Sequence, residues 1–275
     1  MADKTFIPLR YYIIKSKQKR LFKSKYDDTP DGKKKLFIDA FLQNESNYIT
    51  NRGTEYILLD LENQDQLYFG NFCKKGEVKI PKKEGGHLKK RPTVEYPYSY
   101  FVCDTDNHIF CIEKKSKVFR EIDDFLSILS NMVTQKIKDE GFVCKFETID
   151  ERHAFWDIIE SAHSIYSLEL NLNSPNLLDA NKKARESLKG VHSLFNNTSA
   201  TVRLENEEGD LIIEKTAVTE SYIEYAEEGG GNWSLKTDMG DTKSSDKALS
   251  IKCTFKNIET AAKTIISSVS DIFDK

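Results

Sequence analysis

The sequence predicts an α+β fold made of two sheet-plus-helix units. Three observations carry this. Runs of β-branched and aromatic residues bounded by turn formers recur at 6–14, 55–61, 66–73 and 97–113. Between 117 and 139, Val118, Ile122, Phe125, Leu129, Met132, Val133 and Ile137 recur three and four residues apart, which makes one apolar helix face. After a boundary near 148–152 a second pattern of helices and strands begins, so the expected units are a basic domain over 1–150 and an acidic one over 151–275.

The elements follow in order. FIPLRYYII (6–14) reads as a strand, and 16–32 as a polar loop ending in the turn-like Thr29-Pro30-Asp31-Gly32. Leu36, Phe37, Ala40 and Phe41 form a helical stripe within 33–43. Strands at 55–61 and 66–73 flank Asn63-Gln64-Asp65, and the Lys-, Gly- and Pro-rich stretch 74–93 predicts a long exposed loop. PYSYFVC and HIFCIE flank the turn formers Asp104-Thr105-Asp106-Asn107. The helix of 117–139 ends at Gly141, and a strand follows at 142–148.

In the second half, 151–163 predicts a helix and 164–172 a strand. Ser174 and Pro175 then suit the start of a helix running to Phe195. Residues 199–205 and 210–216 predict a hairpin around Glu207-Glu208-Gly209, and a further strand pair is expected on either side of Glu227–Asn232. A strand at 248–255 and an amphipathic helix at 258–273 close the chain.

At 275 residues one large or two small domains are expected. Charged residues reach 31%, yet 11% aromatic residues with many Ile, Leu and Val suffice for a core. No run approaches the ~18 apolar residues of a membrane span. The opening MADKTFIPLRYYIIKSK turns to Lys too soon for a secretory signal, so a cytoplasmic protein is expected.

The net charge of −3 hides an asymmetry: 1–100 carries +7, 101–150 carries −3 and 151–275 carries −7. The cations cluster as Lys15, Lys17, Lys19, Arg20, Lys23 and Lys25, then Lys33, Lys34 and Lys35, then Lys74, Lys75, Lys79, Lys82, Lys83, Lys89, Lys90 and Arg91. Several cations on one face bind a phosphate backbone by releasing its counterions. Tyr11, Tyr12, Phe22, Tyr26, Tyr96, Tyr98 and Tyr100 lie nearby as candidate stacking platforms for bases. The bland alternative is that the lysines are solvated surface and the tyrosines core.

Other motifs are weaker. Cys73, Cys103, Cys111, Cys144 and Cys253 are odd in number and lack C-x-x-C spacing, so buried reduced thiols are expected and no zinc site or other metal. Gly229-Gly230-Gly231 lacks the Gly-Lys-Ser/Thr of a P-loop and reads as a hairpin turn. Glu77-Val78-Lys79 matches half of a metal-dependent nuclease motif, which needs a further carboxylate such as Asp60 on a neighbouring strand. His153 and Asp157 fall one turn apart but no nucleophile is tied to them, and Asp104 and Asp106 are explained by turn chemistry. No catalytic residue or cofactor emerges.

The chain resembles the RexA-like phage-exclusion proteins over most of its length. The resemblance rests on KSKQKR, on Phe41-Leu42-Gln43-Asn44, on the strand pair 55–73, and on YPYSYFVCDTDNHIFCIE followed by Val118-Phe119. SLELNLNSPN, the Lys-rich helix after it and the acidic hairpin with Gly209-Asp210-Leu211 fit the same scheme. It implies a two-domain homodimer that binds double-stranded DNA without strong sequence preference and acts in abortive infection, with a membrane-protein effector encoded nearby as partner. The acidic second half departs from an evenly basic DNA binder, so contacts would fall in 10–35 and 74–91. The expected function is thus non-enzymatic nucleic-acid binding in antiviral defence. The alternatives are a metal-dependent nuclease effector on Glu77 and Lys79, or an interaction module whose lysines dock an acidic partner.

Overall fold

The structure, a computed structural model, describes residues 3–16, 24–43, 48–51, 53–173, 182–195 and 197–273. It is an α+β fold in which helices cover both faces of a large antiparallel sheet. The chain opens on β1 (Lys4–Lys15). Helix α1 (Pro30–Phe37) follows and runs into a π-helical turn, Ile38–Leu42. Thr29-Pro30-Asp31-Gly32 therefore begins a helix rather than closing a loop. The Thr29 hydroxyl accepts the Gly32 N–H at 3.1 Å, and Pro30 has no N–H to leave orphaned in the first turn.

Seven strands come next: β2 (Tyr48–Asn51), β3 (Thr54–Gln64), β4 (Leu67–Lys74), β5 (Gly76–Glu84), β6 (His87–Glu95), β7 (Tyr98–Asp104) and β8 (Ile109–Glu113). Helix α2 (Ile122–Ile137) and β9 (Phe142–Thr148) complete the first half. The apolar stripe from Val118 starts a turn before its helix, because Val118 and Phe119 are buried in the preceding turn.

The second half contributes α3 (Ala154–Ser161), β10 (Ile165–Asn173), α4 (Lys182–Phe195), β11 (Ser199–Glu205), α5 (Ala217–Tyr225), β12 (Gly231–Thr237) and β13 (Gly240–Lys243). Then β14 (Ile251–Cys253) and α6 (Ile258–Phe273) return to the first sheet. Ser174, Pro175, Leu177 and Leu178, expected in the helix before Phe195, lie outside the described residues.

The large sheet runs β14-β1-β8-β7-β4-β3-β2, with β9 also paired to β1. Alternation sorts its two faces. Ile7, Leu9, Tyr11, Ile13, Phe101, Phe110 and Ile112 face α1 and α2, while Phe6, Leu67, Phe69, Val102, Ile109 and Cys111 face α6. Burial on both faces is why HIFCIE is continuously apolar instead of alternating. The smaller sheet runs β11-β10-β12-β13, with Leu168, Leu170, Leu172, Trp233 and Leu235 packed among residues of α3, α4 and α5.

Three expected strands differ. Residues 210–216 do not pair with β11, because the turn after β11 is bonded to the start of β10 instead: the Ile165 N–H donates to the Gly209 carbonyl at 2.9 Å and the Leu211 N–H to the Ile165 carbonyl at 3.2 Å, and only Asp210 makes an isolated bridge, to Ile165. The segment before Glu227 is α5, fixed by a capping box between Thr216 and Thr219. The strand at 248–255 shrinks to Ile251–Cys253, the length that reaches β1 beside Lys4–Phe6. Gly229-Gly230-Gly231 accordingly links a helix to a strand and is not a hairpin turn. Gly229 has φ +85°, and a Cβ on Gly231 would fall 2.1 Å from the Asn171 carbonyl oxygen.

The two halves meet at Arg10, which is buried. Its Nε donates to the Glu228 carbonyl at 2.7 Å and its Nη1 to the Asn107 carbonyl at 3.2 Å. Gly229 packs against it so closely that an added Cβ would lie 2.7 Å from the Arg10 Cβ. Beside this contact His108 stacks on Tyr11 with ring centroids 4.9 Å apart. Burial, then the Arg10 charge, lowers the His108 pKa from 6.5 to about 4.

Two predictions follow from these contacts. Arg10→Met removes two donors and strands two carbonyls, so urea denaturation should show a loss of about 2–3 kcal/mol; a change within error would show the guanidinium to be dispensable. Because His108 is harder to protonate folded than unfolded, its contribution is full above pH ~6.5 and is lost as pH falls toward 4. Melting curves should therefore fall less steeply over that window in His108→Asn, a residue that also tolerates the positive φ of 56° there.

Candidate nucleic-acid interface

The stretch 74–93 is not a loop. β5 and β6 pair antiparallel from Gly76↔Glu95 to Glu84↔His87 as a two-stranded ribbon outside both larger sheets. Its register continues that of β4 and β7, which runs from Leu67↔Asp104 to Cys73↔Tyr98. At the junction the Lys74 N–H donates to the Pro97 carbonyl at 2.9 Å. Residues 67–104 thus form one long hairpin, the inner part embedded in the sheet and the outer part projecting. At ~3.3 Å per residue the nine-residue strands of the outer part extend about 30 Å.

Composition misled here for physical reasons. Gly85 and Gly86 take φ of +55° and +84°, as a two-residue type I′ turn requires at both positions. Pro81 and Pro92 pair with Lys90 and Lys79, three residues and five residues beyond Glu84↔His87, the hydrogen-bonded pair that closes such a turn. These are non-hydrogen-bonded positions, so the missing N–H groups point outward and cost no ladder bond. Gly-Gly between two segments bearing Val78, Ile80, Thr93 and Val94 was the signal that identifies the hairpin.

Between 79 and 91 the ribbon carries Lys79, Lys82, Lys83, Lys89, Lys90 and Arg91 against one acid, Glu84. Cross-strand pairing puts Lys82, Lys89 and Arg91 on one face and Lys79, Lys83 and Lys90 on the other. All six are exposed, and among the described residues Lys79, Lys82, Lys83 and Lys90 make no ion pair. Lys82 sits directly opposite Lys89, a like-charge pair that weakens the ribbon by a few tenths of a kcal/mol up to ~1. Leu88, at 77% exposure, and Ile80, at 42%, also face solvent.

The other candidate cations are less available or less defined. Lys15 lies 3.8 Å from Asp28, Lys25 stands over the Tyr26 ring, and Lys75 pairs with Glu55 at 3.0 Å. Lys33 pairs with Asp28 and Lys34 with Asp106. Lys74 is half-buried at the ribbon's foot. Lys17, Lys19, Arg20 and Lys23, with Phe22, lie outside the described residues. Of the candidate stacking rings, Tyr11, Tyr12 and Tyr26 are core, Tyr100 is half-buried, and Tyr96 and Tyr98 are exposed beside the foot of the ribbon.

The remaining motifs are placed as follows. Glu77 and Lys79 sit on the ribbon, whereas Asp60 sits on β3, which pairs with β2 and β4 and not with β5. The neighbouring-strand carboxylate that the nuclease motif needs is therefore not supplied by Asp60, whose Oδ2 accepts from Asn71 Nδ2 at 2.6 Å. His153 precedes α3 in the left-handed region rather than lying on it, and its carbonyl accepts the Asp157 N–H. Asp104 is buried and accepts from the Asp106 and Asn107 N–H groups, as turn chemistry requires. The five cysteines are free thiols, four of them buried, and burial pushes Cys73 up to about 11.

A polar cleft of about 530 Å³ lies between α2 and β9 on one side and the β10 and β12 surface on the other. At its floor both Glu147 carboxyl oxygens are taken, by Asn173 Nδ2 at 3.0 Å and Asn232 Nδ2 at 3.1 Å. Burial raises the Glu147 pKa against the pull of these two carboxamides. No helix among the described residues is long and apolar enough to cross a membrane.

The ribbon contributes none of the buried core residues. Replacing residues 79–92 by Asn-Gly, which rejoins the hydrogen-bonded pair Val78↔Thr93 through a type I′ turn, should leave the melting temperature within about 2 °C of wild type. A larger drop would mean that the ribbon supports the sheet.

Compared with known proteins, the chain matches no family model, and no curated protein sequence matches it.

Proposed function

We propose that this chain is a non-enzymatic nucleic-acid-binding protein that holds double-stranded DNA without strong sequence preference through the β5–β6 ribbon. The observation that carries the reading is the placement of six cations on both faces of one projecting ribbon, with four of them unpaired among the described residues. A two-stranded ribbon fits the ~12 Å major groove, and cations on both faces reach the phosphates of both groove walls. Exposed Leu88 and Ile80 supply apolar contact of the kind thymine methyl groups accept. Lys15, Lys25, Lys74 and Lys75 are secondary contacts, most of them balanced by acids or rings of the chain itself.

A cytoplasmic role in bacterial defence against phage, as a homodimer working with a membrane-protein effector, rests on the resemblance to RexA-like proteins and goes with this proposal. A second reading is docking of an acidic protein partner. The 77% exposure of Leu88 favours it, since burial of a whole side chain at a protein interface stabilises more than a groove contact.

The test is fluorescence anisotropy with a labelled duplex over a range of salt. Each phosphate contact adds about −0.9 to the slope of log affinity against log salt. With five or six contacts, affinity should drop on the order of a thousandfold between ~50 and ~200 mM salt. Changing Lys82, Lys83, Lys89, Lys90 and Arg91 to Glu should abolish binding, and changing them to Gln should flatten the slope by roughly 4–5. Equal slopes in wild type and the Gln variant, or no binding to duplex or single strands at low salt, would move the ribbon's role to a protein partner.

A further inference from the structure

We propose that a second, acidic pocket, formed by the start of α3, the end of β9 and the turn after α5, is a binding site for a small organic cation carrying a primary ammonium group. The pocket holds about 180 Å³. Five acidic residues line it, Asp150, Glu220, Glu224, Glu227 and Glu228, against Arg152 and His153. This excess of acid lies in the acidic part of the chain, on other elements than the basic ribbon.

An acidic surface alone needs no ligand, since water satisfies exposed carboxylates. Asp150 is different. It is 2% exposed, its Oδ1 accepts from the Thr148 hydroxyl at 2.8 Å, and its Oδ2 has no hydrogen-bond partner. A buried carboxyl oxygen left without a donor costs about 1–3 kcal/mol; burial first, then the like charge of Glu227 and Glu147, pushes the Asp150 pKa well above the ordinary carboxylate range, a cost to the ionised form that a cation beside it would offset. Glu227 is fixed beside Asp150, its Oε1 accepting the Phe155 N–H at 3.2 Å where α3 begins, and an ionised carboxylate has no N–H or O–H to offer.

The shape selects the kind of cation. A metal ion needs several oxygens converging within 2.6 Å, and no cluster of three or more His, Cys, Asp or Glu able to hold a metal is found among the described residues. An ammonium group instead donates three separate hydrogen bonds, and its alkyl tail can lie along an apolar wall. Trp156 and Ile149 line the pocket and supply such a wall. One ammonium of the chain already sits nearby in this way: Lys215 Nζ is 3.6 Å from Glu220 Oε1 and 5.4 Å from the Trp156 ring centroid.

The test is calorimetric titration of the full chain with cadaverine at constant ionic strength, with tetramethylammonium as a control that has charge but no N–H. The expected result is saturable one-to-one binding of cadaverine and none of tetramethylammonium. Asp150→Asn should weaken it at least tenfold. Glu224→Gln, an exposed position whose change leaves folding intact, should weaken it severalfold. The variant lacking residues 79–92 should bind as wild type does, which separates this site from the ribbon. Absence of saturation, equal binding of both cations, or unchanged affinity in both point variants would overturn the proposal.

Discussion

Arg10 is the contact on which the arrangement of the two halves depends. β1 is hydrogen-bonded along one edge to β8 and along the other to β14 and β9, so a strand at the start of the chain gathers segments from its middle and its end. From the middle of that strand one guanidinium reaches both the turn before β8 and the turn after α5. A buried Arg is costly unless its donors are used, and here two backbone carbonyls from distant segments use them. Gly229 is required at the same point, because a side chain there would collide with the Arg10 stem. The second sheet is thereby set at a fixed place against the first.

The projecting ribbon depends on a different constraint, the unbroken register of a single hairpin. Inside the sheet the β4 and β7 side chains are buried on both faces and admit no slip, since a one-residue shift would exchange the two apolar sets. The outer part inherits that register although it buries almost nothing itself. An isolated two-stranded hairpin is marginal in water; this one is held at its root by a sheet that would have to come apart before its strands could change partners.

How much of this was legible in the sequence varies with what holds each part. Elements that bury a stripe were visible because burial writes periodicity: β1, the β7–β8 hairpin, α2 and α6 all show it. The ribbon was hidden because strands with no core face need no alternation, and Lys, Pro and Gly there describe an edge rather than a loop. The segment 210–216 failed in the opposite way: its residues suit a strand, but the turn before it is bonded to Ile165 at the start of β10 and leads the chain away from the open edge of β11, a long-range contact that local pattern does not show. The basic candidates at 82–91 could be named from charge alone, while their sharing one ribbon required the pairing. The acidic pocket was not foreseen, since Asp150 and Glu227 lie far apart in sequence and each reads alone as a solvated acid.

The opposed lysines at the ribbon's outer end have a further consequence. Lys82 and Lys89 repel across the ladder, so pairing near Gly85-Gly86 is held below what the same backbone would give with neutral side chains. A polyanion lying along the ribbon would cancel that repulsion while it gains contacts. Strand pairing and ligand binding are then linked equilibria that share one coupling free energy: whatever tightens the tip raises affinity, and bound polyanion must stiffen the tip by the same factor. The ribbon would act as a reporter of its own occupancy, with its state passed by an unbroken ladder into the sheet beneath it.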